Sequence, residues 1–331
     1  MKKKFSIAIV GATGLVGRTF IKVLEERNFP ISSITFYASE RSEGKTISFF
    51  GKEYKIRALK ENTIEKFDFA LFSAGGKISK QFAPLFAKNG TIVIDNSSAW
   101  RMDENVPLVV PEVNPEDLLW HKNIVANPNC STIQLLVAIK PIYDNLGLKK
   151  TIVSTYQSIS GAGQKGLDKL YSEMEHKNNT NEHPIFSNAI FHPESDKIQN
   201  WTEEEIKMIN ETRKMLHNPN IPISVTCVRL PFEVGHAETV FIETEKSFDV
   251  KDLNDLFKSQ QNLIILDNLK EQIYPTPQFT KDKDEVFIGR IRADLTIPNS
   301  LWLWVVANNI RKGAATNAIQ IAEKMVEMNL V

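Results

Sequence analysis

Two cysteines, six histidines and a few arginines set among apolar or hydroxyl-rich residues hold most of the reactive chemistry of this chain. Cys130 lies in Asn127-Pro128-Asn129-Cys130-Ser131-Thr132, where polar turn formers precede a long apolar helical run. A thiol in the first turn of a helix meets the positive end of the helix dipole and backbone N–H groups that lack intrahelical acceptors. Both favour thiolate, the form that attacks a carbonyl carbon. The same N–H groups are donors for the oxyanion of a tetrahedral intermediate. A cysteine without such flanks serves most often as a small buried hydrophobe. Cys227, inside the strand-like Ile223-Ser224-Val225-Thr226-Cys227-Val228-Arg229-Leu230, fits that description.

A thiol nucleophile calls for a proton acceptor, usually histidine. His236 follows Glu233-Val234-Gly235 at a break between two strand-like runs, and loops at strand ends present catalytic side chains. His192, in Phe191-His192-Pro193-Glu194, is the second candidate, either structural or near a site; residue chemistry ranks it just behind His236. His121, His176, His183 and His217 stand in surface-like contexts. Two arginines are candidate anchors for anionic groups. Arg101 closes the hydroxyl- and amide-rich Asp95-Asn96-Ser97-Ser98-Ala99-Trp100-Arg101, and Arg229 interrupts an apolar strand. A guanidinium there needs a partner: a bidentate substrate carboxylate or phosphate, or equally a structural salt bridge.

The elements that must position these groups begin with a nucleotide signal. Gly11-Ala12-Thr13-Gly14-Leu15-Val16-Gly17 follows a predicted strand and opens a predicted helix. Glycines in that place allow the tight turn, the approach of backbone N–H groups to a diphosphate, and close strand–helix packing. The spacing GxxGxxG is a variant of the dinucleotide fingerprint. Beyond the second strand, Ser39, Arg41 and Ser42 offer hydroxyls and a guanidinium to a 2′-phosphate, favouring NADP. Glu40 reads alternatively as the acid that selects the free ribose of NAD. Ser73-Ala74-Gly75-Gly76 ends another strand, either beside a cofactor or as a simple strand-to-helix turn.

Strands are predicted at Phe5–Val10, Ile34–Ala38, Asp68–Ser73, Thr91–Asp95 and Ile124–Ala126, with helices at Leu15–Arg27 and Lys77–Lys88. This alternation implies right-handed βαβ units and a parallel sheet covered on both faces. A helix from Ser131 to about Tyr143, interrupted late by Pro141, leads into a different pattern. Thr151–Gln157, Ile223–Phe232, Glu238–Thr244, Val286–Arg292 and Leu301–Ala307 are β-rich, and helices are expected at Gly166–Lys177 and Thr202–His217. The fold class is therefore α/β: a Rossmann-type dinucleotide-binding domain and a second α+β domain with a largely antiparallel or mixed sheet. The expected boundaries are residues 1–129 plus a C-terminal helix, 312–331, for the first, and 130–311 for the catalytic and dimerisation domain.

Bulk properties exclude more than they identify. Forty basic residues balance forty acidic ones in 331, so no overall field draws the chain to nucleic acid or an anionic membrane. No segment approaches the ~18 uninterrupted apolar residues of a membrane span, and the glycine-spaced N-terminal run reads as a buried strand and turn rather than a secretory signal. The two distant cysteines form no CxxC metal or redox motif, no metal site is expected, and reduced thiols point to the cytoplasm.

Taken together, GATGLVG, ASERSEGK, SAGG, IDNSSAWR, PNCST, TYQSISGAG, the EEIK of Glu204–Lys207, CVRLPFEVGH and VVANNIRKGAATNAIQIAE resemble the aspartate-semialdehyde dehydrogenase family along nearly the whole chain. The resemblance implies reversible NADPH-dependent reductive dephosphorylation of L-4-aspartyl phosphate to aspartate semialdehyde, in the biosynthesis of lysine, methionine, threonine and isoleucine, by a homodimer. It implies that Cys130 attacks the acyl carbon to form a thioester, that His236 is the acid/base and that Gln157 helps position the intermediate. Arg229 would bind the substrate carboxylate, Arg101 and Lys207 phosphate, and Glu204 would support the substrate site. Contacts to NADP(H) would come from Gly11, Thr13, Gly14, Leu15, Val16, Arg41, Ser42, Ser160, Gly161 and Asn309. Trp100, Ala237 and Asn308 stand where phenylalanine, serine and aspartate are usual, and none of these departures removes a catalytic group. The competing readings are N-acetyl-γ-glutamyl-phosphate reductase and a non-catalytic NADP-binding regulator of the same fold.

Overall fold

Phe5–Val10 is apolar at nearly every position, as a strand buried on both faces requires, and it forms β1 at the centre of the first sheet. A computed structural model describes residues 3–175 and 183–331. In it α1 (Leu15–Glu26) leads to β2 (Ile31–Ala38), a hairpin of β3 (Thr46–Phe49) and β4 (Lys52–Lys55), and short β5 (Arg57–Ala58). Then come β6 (Phe69–Phe72), α2 (Gly76–Lys88), β7 (Ile92–Asp95) and β8 (Ile124–Ala126). The sheet runs β5-β2-β1-β6-β7-β8 with every pair parallel. Sequence periodicity did not reveal the β3–β4 hairpin, because both strands are short and largely polar and lie outside the main sheet.

The second unit starts with α3 (Cys130–Leu146), then β9 (Lys150–Gln157), α4 (Gln164–Met174), β10 (Ile190–Phe191), α5 (Glu203–Met215) and β11 (Ile223–Arg229). It continues through β12 (His236–Glu243), α6 (Val250–Lys258), β13 (Leu263–Ile265), β14 (Val286–Ala293) and β15 (Ser300–Ala307). Its sheet is mixed, ordered β10-β11-β9-β12-β15-β14-β13: β9–β11 and β13–β14 are parallel, the remaining neighbours antiparallel. The end of the helix expected at Gly166–Lys177, together with His176, lies outside the described residues.

Pro141 does not interrupt α3, contrary to expectation; the helix runs to Leu146 and stops at Gly147, whose φ of 72° suits glycine. Proline forfeits one N–H···O bond, and burial on nearly all sides of α3 offsets that loss: every residue from Ser131 to Ile139 is buried. The last helix, α7, spans Thr316–Glu327 rather than starting at Lys312. Residues 311–315 form a wide π-type turn first: the Gly313 N–H reaches back five residues to the Asn308 carbonyl at 2.9 Å, and the Asn308 Oδ1 accepts the N–H groups of Ile310 and Arg311 at 2.9 and 3.0 Å.

The chain divides into two compact units, Met1–Pro128 with Ala314–Val331, and Asn129–Gly313. Within the first, Arg27 clamps the α7 residue Glu323 through Nε at 2.8 Å and Nη2 at 2.5 Å, and α7 joins the aromatic and aliphatic core around Phe5, Phe36 and Phe69. Among the described residues no helix is long and apolar enough to cross a membrane, and no group of three or more His, Cys, Asp or Glu could hold a metal ion.

Candidate active site

Side chains alternate along strands, so register decides which groups share a face. Gln157 on β9 pairs with Arg229 on β11 and with His236 on β12, which places all three in one row at the end of the second sheet. The next row on the same face holds Thr155, Cys227 and Glu238. Gln157 and His236 are fully buried.

The first turn of α3 meets this row through its polar side chains. The Gln157 Nε2 donates to Ser131 Oγ at 2.5 Å and to the Glu204 Oε1 at 3.2 Å. Asn129 caps the helix: its Oδ1 accepts the N–H groups of Ser131 and Thr132 at 2.9 and 3.3 Å. Those two donors, expected to serve an oxyanion, are therefore spent on the cap. The Asn129 Nδ2 donates to Glu204 at 2.9 Å, and its backbone N–H to Glu211 at 2.7 Å. Cys130 is partly exposed whereas Cys227 is fully buried, and they are not bridged. Burial pushes the Cys227 thiol well above its ordinary range, so it stays protonated. Gly313 packs so tightly on Cys130 that a Cβ there would stand 2.7 Å from the Cys130 Cβ. Sequence reading had no means of finding that contact.

His236 is held by Ser158. The Ser158 N–H donates to Nδ1 at 3.0 Å, and the Ser158 Oγ stands 3.2 Å from the same nitrogen. A backbone N–H only donates, so Nδ1 accepts and the neutral ring carries its proton on Nε2. Burial, reinforced by the nearby positive Arg229, lowers the His236 pKa to about 3. At neutral pH the imidazole is thus an uncharged Nε2–H donor. Proton uptake at Nε2 requires the ring proton to move to Nδ1, where the Ser158 Oγ offers an acceptor. That hydroxyl is linked to Ser160 at 3.1 Å and to the Asn309 Oδ1 at 3.1 Å. Asn309 also accepts the Gly235 N–H at 2.8 Å and donates to Ser160 at 3.0 Å, so the expected cofactor contacts Ser160 and Asn309 spend their side chains supporting His236.

Arg229 makes no ion pair among the described residues. Its Nη1 donates to the Ser158 carbonyl at 2.7 Å, and its Nη2 lies 3.2 Å from the His192 Nδ1. Burial lowers its pKa while Glu204 and Cys130 raise it. A half-buried guanidinium that no carboxylate contacts directly among the described residues is suited to hold a ligand's anionic group. Glu204 stands nearby, 3.9 Å from Lys207. Its burial opposes ionisation, yet His192, Lys207 and donation from Asn129 and Gln157 hold its pKa at about 2. Gly161 leaves room here: a Cβ would sit 2.7 Å from Arg229 Nη1 and 3.6 Å from His236 Nε2.

In the first unit, Gly11 adopts a φ of +88°, and a Cβ there would overlap the Ser73 carbonyl; one at Gly17 would overlap the carbonyl of Gly11. These glycines thus let the loop close on itself and on the Ser73-Ala74-Gly75 strand end. Gly14 starts α1 without any side-chain cap and no acid occupies the first turn, leaving Leu15, Val16 and their neighbours open to an anion. Alongside Ala12 and Thr13 lies a cavity of about 400 Å³ whose polar lining includes Arg18, Lys45, Thr46 and Ser48, none of them anticipated. Arg41 and Ser42 form a short turn after β2. Glu40, the alternative ribose acid, pairs with Lys60 at 3.1 Å. Arg101 is buried and donates from Nε to the Asn127 carbonyl and from Nη2 to that of Asn96, both at 3.0 Å.

Two family models match: the semialdehyde dehydrogenase NAD binding domain over residues 6–121 and the semialdehyde dehydrogenase dimerisation domain over residues 139–312. The aspartate-semialdehyde dehydrogenase of Aquifex aeolicus is 53% identical over 99% of both chains, and that of Bacillus subtilis 45% identical over the full length of both. Among solved structures, aspartate semialdehyde dehydrogenase II from Vibrio cholerae superposes with a TM-score of 0.93 at 43% identity, covering 98% of this chain and 99% of its own. The same enzyme complexed with ASA gives a TM-score of 0.92 at the same identity and coverage.

Proposed function

This chain belongs to the aspartate-semialdehyde dehydrogenase family, and from that premise we propose how its residues perform the NADPH-dependent reductive dephosphorylation of L-4-aspartyl phosphate to L-aspartate 4-semialdehyde. The observation that carries the assignment of roles is the cluster of Cys130, His236, Gln157 and Arg229 at one end of the second sheet, around a cation that makes no ion pair among the described residues.

Cys130 attacks the acyl carbon of the substrate as the thiolate that its place in the first turn of α3 favours, forming a C–S bond. The tetrahedral oxyanion takes a hydrogen bond from His236 Nε2–H, a neutral donor fixed by the Ser158 N–H. The C–O bond to phosphate then breaks and phosphate departs, leaving a thioester on Cys130. Arg229 anchors the substrate's α-carboxylate, Glu204 receives its ammonium, and Lys207 with Arg101 takes the phosphate. Gln157, tied to both Ser131 and Glu204, holds the first turn of α3 in line with the substrate. After reduction of the thioester, the C–S bond cleaves, the aldehyde leaves and the Cys130 sulfur is regenerated.

The uncapped start of α1 and the self-packed glycine loop fit a dinucleotide diphosphate. Gly11, Thr13, Gly14, Leu15 and Val16 would hold it, with Arg41 and Ser42 toward the 2′-phosphate and Ser160, Gly161 and Asn309 toward the nicotinamide. When bound there, NADPH supplies the hydride that the chain's own residues cannot. Through the domain matching the dimerisation model the enzyme forms a homodimer, and it works in the cytoplasm in the synthesis of lysine, methionine, threonine and isoleucine. Phosphate-dependent reduction of NADP by aspartate semialdehyde tests the reading. Activity confined to N-acetylglutamate semialdehyde would replace it with the reductase alternative, and full turnover by Cys130→Ala with the non-catalytic one.

A further inference from the structure

The edge strand β10 is only two residues long, and it pairs antiparallel with β11 so that Ile190 faces Arg229 and Phe191 faces Val228. That pairing delivers the next residue, His192, to the guanidinium, with Nδ1 3.2 Å from Arg229 Nη2. A guanidinium has donors only, so Nδ1 accepts and the imidazole is neutral with its proton on Nε2. His192 Nε2 is covered from solvent and finds no hydrogen-bond partner among the described residues. The second acceptor on Arg229 is the Ser158 carbonyl at 2.7 Å, and Ser158 is also the residue that fixes His236. Two neutral acceptors therefore hold the plane of the guanidinium.

We propose that His192 is a positioning residue for substrate recognition: it accepts from Arg229 as a neutral base, orienting the guanidinium without cancelling its charge. A carboxylate in the same place would orient it too, but would neutralise the cation and compete with the substrate carboxylate. A neutral imidazole avoids that competition and leaves the other N–H groups of Arg229 for the ligand. The groups acting on His192 are Glu204 and Glu205 on the negative side and Arg229 and Lys207 on the positive side. Burial, the largest influence, brings its pKa to about 4, so the accepting form persists through the neutral range. This role also separates the two candidate histidines: Nδ1 of His192 is engaged by the guanidinium, whereas Nδ1 of His236 is engaged by Ser158. The inference rests on Arg229 being the carboxylate anchor.

The test uses the full-length enzyme in the oxidative direction, with aspartate semialdehyde, phosphate and NADP each varied in turn. His192→Asn keeps an acceptor near the Nδ1 position, His192→Gln moves the amide to the Nε2 position, and His192→Leu removes both. Loss of a hydrogen bond to a charged group predicts about a tenfold or greater rise in the KM for aspartate semialdehyde with Leu and Gln, and about threefold or less with Asn. The KM for NADP stays within about twofold throughout, since uniform binding of one substrate is what changes. Asn as poor as Leu, an unchanged KM in the Leu variant, or a fall in kcat with unchanged KM would each overturn the proposal. If the Leu variant melts too low to assay, the Asn–Gln comparison decides alone. Arg229→Leu separates the two levels: an unchanged KM there refutes the anchor reading itself, whereas a large rise there with normal His192 variants refutes only the role of His192.

Discussion

Replacing Gly161 with alanine probes the crowded junction between Arg229 and His236. The added Cβ would stand 2.7 Å from Arg229 Nη1, against ordinary contact distances to the His236 ring of 3.6 Å. Carbon and nitrogen reach van der Waals contact near ~3.5 Å, so the guanidinium must retreat by roughly 0.8 Å or the turn must shift. Arg229 Nη1 is the atom bonded to the Ser158 carbonyl at 2.7 Å, and a retreat of that size takes the bond beyond useful length. A hydrogen bond made by a charged group contributes ~1.5–3 kcal/mol, which corresponds to roughly a 10- to 150-fold rise in the KM for aspartate semialdehyde. The His236 ring is in ordinary contact and is not displaced, so kcat falls far less than kcat/KM. Steady-state kinetics with each substrate varied, beside a crystal structure of the variant, checks this. A Gly161→Ala enzyme whose only defect is a raised KM for NADP would refute the reasoning and make Gly161 purely a cofactor contact.

Further outcomes follow from the same geometry. Cys130→Ala abolishes turnover, whereas Cys227→Ala costs stability and little activity, because Cys227 is fully buried behind the site row; iodoacetamide should label Cys130 and leave Cys227 untouched until unfolding. Gly313→Ala, which sets a Cβ 2.7 Å from that of Cys130, lowers the rate of alkylation and kcat together, and unchanged alkylation would contradict the packing. His192 and His236 have folded pKa values of about 4 and about 3 against an ordinary 6.5. Below pH 6.5 the unfolded chain binds protons that the folded one refuses, so stability declines as pH falls from there toward 4, by about 1.4 kcal/mol per pH unit per histidine. Denaturant titrations across that window should lose the slope in proportion when either histidine is replaced.

Glu238 has the opposite sign. Burial raises its pKa well above the usual carboxylate value of 4.5; above that pH the unfolded chain releases a proton that the folded one keeps, and stability falls as pH rises. Glu238→Gln should remove that fall, so its gain in stability grows from pH 5 to pH 8; a pH-independent difference would show that Glu238 ionises normally in the folded protein.

The parts of this site that were legible in the sequence are those carried by local patterns. Asn129-Cys130 at a helix start, the glycine loop between β1 and α1, Arg229 within a strand-like run and His236 at the break after it are all encoded within a few residues of themselves. The rows that join them are not, because β9, β11 and β12 come from separate parts of the chain and register alone puts Gln157 between Arg229 and His236. For the same reason the sequence left His192 open between structural and catalytic roles; only the β10 edge pairing brings it to Arg229. The first N–H groups of α3 are not all spare, because Asn129, a turn former by residue type, turns its side chain back as the cap that consumes two of them. The contacts of Gly161 and Gly313 are defined by space that a missing side chain leaves, and a string of residue types carries no record of that.

The central claim is a covalent thioester on Cys130, and omitting phosphate exposes it. Mixed with aspartate semialdehyde and NADP alone, the enzyme should form NADPH in a burst stoichiometric with active sites and then stall, since phosphate is absent to release the acyl group. Peptide mass spectrometry of the quenched enzyme should find the aspartyl adduct on Cys130, and adding phosphate should restart turnover. A burst-free reaction, an adduct on another residue, or a normal burst from Cys130→Ala would contradict the account.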